Sequence, residues 1–209
     1  MATVLIDSNN FYAACEQSID PSLTNRPVVV LSNNDGCIIA RSAEAKALGI
    51  QMGQPFFKMR RRLEKLEVKI CSSNYALYGD MSQRFMSLLE NYCEELEIYS
   101  IDEAFANIKR PFNNNLQPWA KKLRTMIYQS LGLPIAVGIG ANKSQAKLAN
   151  HLAKTIASHA GIFDLEMRGD VEDWLKLIAI EDVWGIGHKM SQWCRMRGIS
   201  NALQLRDAP

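Results

Sequence analysis

Apolar positions along the chain follow two spacings, which predict strands and helices in mixed order. Short runs rich in β-branched residues predict strands at residues 3–6, 28–31, 37–40, 68–71, 97–108 and 135–139. Apolar positions three or four residues apart predict helices at residues 9–19, 42–48, 75–92, 119–127 and 142–158. With residues 21–74 set aside as an insertion, this order is close to a ferredoxin-like βαββαβ layout, with helices on one face of an antiparallel sheet. The pattern therefore predicts an α+β fold.

Composition narrows the class of protein. Hydrophobic residues make up 47% of the 209-residue chain and charged residues 22%, which is typical of a globular domain. No apolar run approaches the ~18 residues that span a bilayer, and the N-terminus lacks signal-peptide features, so no membrane association is expected. The five cysteines include no Cys-x-x-Cys pair, which argues against a zinc ribbon and against a secreted disulfide framework. We therefore expect a cytoplasmic protein.

The formal net charge of +2 hides an uneven distribution of charge. Residues 80–103 contain seven acids and one base, whereas residues 139–163 contain no acid. Within the second segment, four basic side chains recur at helical spacing and share one stripe: Lys143, Lys147, His151 and Lys154. Basic zones around an acidic spot suit a protein that binds a polyanion and holds cations at one place. Solvated helix faces are the commoner explanation of any single charge run.

Three carboxylates are predicted to meet at one edge of the sheet. Asp7 ends the first strand, and Asp102 and Glu103 lie at the bend of the later hairpin, which neighbours that strand in a ferredoxin-like sheet. Gathered carboxylates need cations, and two Mg²⁺ ions ~4 Å apart would suit oxygen ligands and phosphoryl transfer. The alternative is that Asp7 caps a turn and that the Asp-Glu pair is a solvated hairpin tip.

The residues after Asp7 favour a phosphate-binding site. Asn10, Phe11 and Tyr12 open a helix whose free N–H groups can bind phosphate oxygens, and the Tyr12 ring can press on a bound sugar. Lys46 and Lys154 are candidates for balancing the charge of a triphosphate. Core packing for the two rings and a surface location for each lysine are the alternatives.

The C-terminal part carries a glycine-rich turn. Trp184-Gly185-Ile186-Gly187-His188-Lys189 is followed by apolar positions at helical spacing, which predicts a helix-hairpin-helix. Gly185 and Gly187 let the backbone approach a DNA phosphate, with His188 and Lys189 beside it. A plain corner between two helices is the alternative.

Several ordered motifs resemble those of the Y-family translesion DNA polymerases. They are Asp7-Ser8-Asn9-Asn10-Phe11-Tyr12-Ala13, Ser100-Ile101-Asp102-Glu103-Ala104-Phe105, Val137-Gly138-Ile139-Gly140-Ala141-Asn142-Lys143 and Trp184-Gly185-Ile186-Gly187. Leu31-Ser32-Asn33-Asn34-Asp35-Gly36-Cys37 and the following Ala40–Lys46 segment look like the UmuC branch. The resemblance runs from residue 4 to about residue 207.

The resemblance implies a domain division and roles for the site residues. It implies a palm (1–20 and 75–165), a fingers insertion (21–74) and a partial helical thumb (166–209), with the little-finger domain absent. Asp7, Asp102 and Glu103 fall on the positions of the Mg²⁺ ligands, and Tyr12 on the steric gate that excludes a ribose 2′-hydroxyl. Lys46 and Lys154 fall on the triphosphate positions. Many members carry a tyrosine at Ala43 and an arginine at Lys46.

The implied function is error-prone DNA synthesis opposite damaged bases. Its partners would be primer-template DNA, a deoxynucleoside triphosphate, processed UmuD and a RecA-type filament in the SOS response. Because the resemblance stops partway through the thumb, the alternative is a truncated, catalytically weak or inactive fragment that binds DNA or UmuD-type partners. A palm-based nucleotidyl cyclase is a third hypothesis, which the hairpin and the fingers segment disfavour.

Overall fold

Two β-sheets and the helices packed on them make up the fold. The structure is a computed structural model and describes residues 1–167, 169 and 171–208. In chain order, the strands are β1 (Ala2–Ser8), β2 (Val28–Leu31), β3 (Ile38–Arg41), β4 (Lys69–Cys71), β5 (Glu95–Ile98), β6 (Glu103–Ile108), β7 (Ile135–Gly140) and β8 (Ile162–Asp164). The helices are α1 (Phe11–Ile19), α2 (Ala43–Ala47), α3 (Phe56–Lys65), α4 (Tyr75–Glu90), α5 (Gln117–Leu131), α6 (Lys143–Thr155), α7 (Val171–Leu177), α8 (His188–Arg195) and α9 (Ala202–Arg206).

The larger sheet has the strand order β5-β6-β1-β7-β8 among the described residues. β1 pairs antiparallel with both β6 and β7, which is the strand order of a ferredoxin-like βαββαβ unit built from β1, β5, β6 and β7. The α+β prediction is therefore confirmed. The structure adds β8, which pairs parallel with β7 at the edge.

The helices of the βαββαβ unit cover one face of this sheet, as predicted, whereas α6, which follows that unit in the chain, covers the other face. Helices α1, α4 and α5 bury their apolar sides, including Phe11, Phe85 and Leu123, against the Val4 and Ile6 face. Helix α6 packs on the opposite face, where Leu5 contacts Ala146 in a separate apolar cluster. Alternate residues of a strand point to opposite faces, so β1 is buried on both sides. The basic stripe of α6 thereby lies on the side of the sheet away from α1.

A close approach of backbones places α6. A Cβ on Gly138 of β7 would lie 2.2 Å from the Asn150 backbone nitrogen and 2.3 Å from the Ala146 carbonyl oxygen. Only glycine fits this contact, because real Cβ atoms do not approach other heavy atoms so closely. The side chain of Asn150 also donates to the Ala136 carbonyl oxygen at 3.2 Å. The Val-Gly-Ile-Gly strand therefore sets the height of α6 above the sheet.

The smaller sheet, ordered β3-β2-β4, lies within residues 21–74. The predicted hairpin of β2 and β3 is present and antiparallel, and β4 pairs parallel with β2. Ser42 ends this hairpin and caps α2, since its hydroxyl accepts from the Ala45 backbone N–H. The hairpin and its cap bring Arg41 and Lys46 towards the end of β1, where both line the same cleft as Asp7.

The C-terminal part differs from the predicted helix-hairpin-helix. Before the glycine turn, the chain forms a 3₁₀ turn at Ile180–Asp182, which follows α7. Gly185 has a φ of +87°, and Gly187 caps α8. The structure thus confirms a glycine turn leading into a helix, but not the hairpin motif. The predicted segment 166–209 includes positions 168, 170 and 209, which lie outside the described residues.

Two further expectations can be compared with the structure. Helix α6 ends at Thr155, three residues before the predicted end at 158, because Ile156 has an extended backbone. As for membrane association, no helix in the described ranges has both the length and the apolar character needed to cross a bilayer.

Candidate active site

The three predicted carboxylates meet where β1 and β6 end. Asp7 lies directly opposite Glu103 in the β1–β6 ladder and opposite Ala136 in the β1–β7 ladder. The Ser8 backbone N–H donates to the Asp102 carbonyl oxygen at 2.8 Å, which extends the ladder by one step into the turn. The sheet register alone therefore brings together residues that are almost 100 positions apart.

A tight turn fixes Asp102 beside this ladder. The backbone N–H groups of Tyr99 and Ser100 both donate to the Glu103 carbonyl oxygen at 3.1 Å. The Ser100 hydroxyl donates to Asp102 Oδ1 at 2.8 Å, and the Ser82 hydroxyl of α4 donates to the Ile101 carbonyl oxygen at 2.6 Å. The turn is thus tied both to itself and to α4. These hydrogen bonds hold the Asp102 carboxylate in place.

An open cleft of ≈ 370 Å³ runs from this turn to the smaller sheet. It is lined by Asp7, Ser8, Asn10, Phe11, Tyr12, Ile39, Ala40, Arg41, Lys46, Met52, Ile101, Asp102 and Lys154. The structure therefore gathers seven of the predicted site residues around one cavity. Its two ends carry opposite charge, with carboxylates at the sheet edge and cations beside the insertion.

Asp7 is an unusual carboxylate because its surroundings oppose its charge. Lys154 Nζ lies 2.7 Å from Asp7 Oδ1, in a pair whose side chains are 36% and 16% exposed respectively. Burial raises the pKa of Asp7, Lys154 partly offsets this, and the negative charges of Asp102 and Glu103 raise the pKa further. The mutual repulsion shows that the three groups are close enough to feel each other's charge.

Glu103 does not belong to the described residues that line the cleft, and its side chain pairs with α6. Its Oε2 lies 2.7 Å from Lys147 Nζ, and the two side chains are 14% and 17% exposed. Lys143 pairs with Glu97 at 2.6 Å one turn earlier on the same helix. Three residues of the basic stripe, Lys143, Lys147 and Lys154, therefore pair with acids of the sheet edge, whereas His151 lies 3.9 Å from Asp182.

The donor set suits a hard divalent cation, although the side chains are not arranged as a ready-made site. Among the described residues, no group of three His, Cys, Asp or Glu side chains is placed to bind a metal ion. Asp7 and Asp102 line the same cavity and offer only oxygen ligands, which favours Mg²⁺ over zinc. The negative charge of Asp102 raises the pKa of Asp7, and a bound cation would relieve this repulsion. The residues therefore fit a divalent cation once the Glu103 side chain turns into the cleft.

Tyr12 is held by a cluster of three tyrosines. Its ring stacks on Tyr78 with a centroid distance of 4.4 Å and an interplanar angle of 16°, and it meets the edge of Tyr75 at 6.1 Å. The Tyr78 hydroxyl donates to Glu16 Oε1 at 2.7 Å. This packing fixes the ring at the cleft wall. Phe11 is buried in the core at 4% exposure, although its edge also lines the cleft.

The start of α1 has a backbone geometry that the sequence did not predict. Asn10 precedes the helix in the left-handed region, with a φ of +57°, and its side chain makes no capping hydrogen bond. The first N–H groups of α1 consequently stay free of a side-chain cap.

Lys46 and Arg41 form the basic end of the cleft. Burial lowers the pKa of Lys46, and the nearby charges of Arg41 and Lys154 lower it further, whereas Asp7 opposes the shift. Arg41 was not predicted as a site residue, although it lies within the Ala40–Lys46 segment that carries the family resemblance. Its Nη1 donates to the Ile50 carbonyl oxygen at 2.5 Å, and its Nε is buried with no hydrogen-bond partner among the described residues. An arginine at the end of a strand beside a helix cap was the available signal.

The predicted DNA-binding turn lies apart from the cleft. None of Gly185, Gly187, His188 and Lys189 is among the described residues that line it. The residue before the turn does reach the carboxylate edge, because the Trp184 ring meets the Tyr99 ring at 5.8 Å. Gly185 has free space around its Cβ position, so its role is conformational rather than one of close packing.

The fold of the chain is shared with solved proteins. DinB from Sulfolobus solfataricus superposes with a TM-score of 0.77 at 25% identity, over 96% of this chain and 58% of that one. At the level of sequence, the model of the impB/mucB/samB family matches residues 6–151. The chain belongs to the impB/mucB/samB family.

Curated relatives agree with this family assignment. Protein UmuC of Salmonella typhimurium strain LT2 is 46% identical over 205 residues, which cover 97% of this chain and 49% of that protein. DNA polymerase IV of Bacillus velezensis is 32% identical over 198 residues, which cover 93% of this chain and 46% of that protein. The chain spans about half the length of the curated relatives it matches.

Proposed function

We propose that this chain carries the catalytic site of an error-prone translesion DNA polymerase. The observation that carries the proposal is the register that sets Asp7 opposite Glu103, with Asp102 one step further, at the mouth of a cleft with a basic far end. Carboxylates at one end and cations at the other suit a metal-bound triphosphate. The family membership and the polymerase name of a relative at 32% identity support the same reaction.

Each predicted residue has a role in the proposed reaction. Asp7, Asp102 and Glu103 would hold two Mg²⁺ ions, whose charge would stabilise the attacking 3′-hydroxyl and the leaving pyrophosphate. Lys46 and Lys154 balance the charge of the triphosphate, and the free N–H groups at Asn10 and Phe11 bind its oxygens. Tyr12, fixed by its stack on Tyr78, closes the space that a ribose 2′-hydroxyl would need.

The wider setting is part of the proposal. We assign residues 1–20 and 75–165 to a palm, 21–74 to fingers and 166–209 to a partial thumb, whose Gly185–Lys189 turn binds the DNA backbone. The substrates are primer-template DNA and a deoxynucleoside triphosphate. Processed UmuD and a RecA-type filament are the proposed protein partners, in DNA repair and SOS mutagenesis in the cytoplasm.

Primer extension with Mg²⁺ at low salt tests the proposal. The wild-type chain is expected to add nucleotides to a primer, and Asp102→Ala is expected to reduce the rate by at least ~10³-fold, since it removes a carboxylate that would hold the catalytic Mg²⁺. Asp80→Ala is the matched control, because Asp80 is an exposed acid that pairs with Arg84 on α4 and does not line the cleft. Tyr12→Ala should admit ribonucleotides while deoxynucleotide addition continues.

A second candidate function is a fragment that binds DNA with little catalysis. The observation that favours it is the match to only about half the length of the relatives. Fewer phosphate contacts mean less counterion release and weaker binding at physiological salt. DNA binding retained at low salt, with no extension in any variant, would support this second function against the first.

A further inference from the structure

Three aromatic rings enclose the ammonium group of Lys147. Lys147 Nζ lies 4.7 Å from the Tyr99 ring centroid, 5.5 Å from that of Trp184 and 5.8 Å from that of Phe105. These distances fall within the ~6 Å at which a cation is attracted to a ring face. The rings also contact one another, since Tyr99 meets Phe105 at 5.6 Å and Trp184 at 5.8 Å. We call these three rings the Lys147 cage.

The cage directs Lys147 at a single carboxylate. Its ammonium lies 2.7 Å from Glu103 Oε2, and both side chains are less than one fifth exposed. A largely buried pair is held more firmly than an exposed one, because water neither screens nor replaces it. Glu103 in turn lies opposite Asp7 in the sheet. The caged cation therefore acts on the carboxylate cluster through Glu103.

Each wall of the cage comes from a different part of the fold. Phe105 belongs to β6, and Tyr99 begins the turn that carries Asp102. Trp184 comes from the C-terminal segment, directly before the glycine turn, and its ring is the outer wall at 42% exposure. The C-terminal segment thereby touches the environment of Glu103, although it does not line the cleft.

We propose that Lys147 restrains Glu103 and weakens cation binding at the carboxylate site, and that Trp184 acts on this site through Lys147. The inference rests on the proposed function and deepens it, because it makes the segment before the glycine turn part of the cation site. Lys147 sets the charge that Glu103 presents, and Trp184 keeps water from that ion pair.

Titration of the full 209-residue chain with Mn²⁺, without DNA or nucleotide, tests the proposal. The free ion is followed by its electron paramagnetic resonance signal. Lys147→Met should tighten Mn²⁺ binding by about three- to tenfold, because a positive charge near the cluster is removed while the stem still fills the cage. Lys147→Arg keeps the charge and should bind within about twofold of the wild type. Unchanged or weaker binding in Lys147→Met overturns the proposal.

Lys143→Met is the matched control on the same helix. Lys143 lies one helical turn before Lys147 and pairs with Glu97 of β5 at 2.6 Å. Both side chains of this pair are exposed. Removal of the Lys143 charge should leave Mn²⁺ binding within about twofold of the wild type, because an exposed and screened charge contributes little. An effect as large as that of Lys147→Met would show that general charge, not the caged pair, sets the affinity.

The action of Trp184 through Lys147 is tested by combining variants. Trp184→Ala should tighten Mn²⁺ binding in the same direction as Lys147→Met but by less, since water then screens the ammonium. The same substitution should have no further effect in the Lys147→Met background, because two changes on one path are not additive. Equal effects of Trp184→Ala in both backgrounds would overturn the proposed route.

Two controls separate this inference from the proposed function. Asp102→Asn should abolish Mn²⁺ binding, and a wild-type chain that binds no Mn²⁺ contradicts the proposed function itself. The coupling between Lys147 and Glu103 is then measured by urea unfolding of Lys147→Met, Glu103→Gln and the double variant. Unfolding midpoints that combine non-additively support the caged pair, and strictly additive midpoints overturn it whatever the metal result.

Discussion

Asp7 lies in surroundings that disfavour its own charge. Burial and two neighbouring carboxylates raise its pKa above the ordinary value, and the Lys154 ammonium at 2.7 Å offsets only part of this effect. Enzymes use such crowding where a cation is to be bound, since the ion relieves the repulsion. The raised pKa is therefore a property of the proposed cation site that can be measured without substrate.

The pH dependence of stability tests this environment. Because the pKa of Asp7 is higher in the folded state than in the unfolded chain, the protonated group stabilises the fold, and this contribution is lost as pH rises through the raised pKa. Asp7→Asn should therefore shift the urea midpoint upward at neutral pH. The gap should close at about pH 3, below the ordinary pKa of an aspartate.

Asp20→Asn is the control with the opposite sign. Hydrogen bonds from Ser22 lower the pKa of Asp20, so its ionised form stabilises the fold above the ordinary pKa. The variant should lose stability at neutral pH relative to the wild type and should lose less at acid pH. If Asp7→Asn and Asp20→Asn changed the urea midpoint with pH in the same direction, the charge of Asp7 would not destabilise the fold.

The contact between β7 and α6 determines how the basic stripe meets the carboxylates. Gly138 lets the two backbones touch, so the side chains of Lys147 and Lys154 span the distance to Glu103 and Asp7 respectively. A Cβ at this position would push the helix outward. The spacing of the ion pairs thus depends on a residue with no side chain.

Gly138→Ala should destabilise the fold by about 2 kcal/mol or more, because a methyl group would overlap backbone atoms that cannot move independently. Gly79→Ala is the matched control. A Cβ at Gly79, inside α4, meets nothing within 4 Å, so alanine there should stabilise the protein by about 0.5–1 kcal/mol. Urea unfolding of both variants measures the two effects. A Gly138→Ala protein as stable as the wild type would contradict the close approach.

Sequence patterns predicted the elements better than they predicted the partners of side chains. The runs at β1 and β7 and the stripe of α6 are local signals, and the structure confirms all three. The pairing of Lys147 with Glu103 depends on which face of the sheet α6 covers. The spacing of apolar residues along the chain does not specify that face. The sequence likewise carried no signal for the left-handed backbone of Asn10, or for the buried Arg41 Nε, which has no hydrogen-bond partner among the described residues.

In the whole molecule, the cleft joins two sheets that come from separate stretches of the chain. The larger sheet supplies the carboxylates, and the insertion supplies Arg41 and Lys46. The C-terminal segment adds Trp184 on the far side of the acidic edge. The sequence predicted that Asp7 and Asp102 lie together, and both line the cleft. The pairing of Glu103 with Lys147 could not be predicted, because it depends on how the larger sheet, α6 and the C-terminal segment pack together.

A crystal of this chain soaked in Mn²⁺ with a deoxynucleoside triphosphate is the most direct test of the carboxylate site. The account predicts anomalous difference peaks within coordination distance of Asp7 and Asp102, with Glu103 turned into the cleft and Lys154 moved from Asp7 to the triphosphate. Peaks only elsewhere on the protein, with the Lys154–Asp7 pair intact, would contradict it.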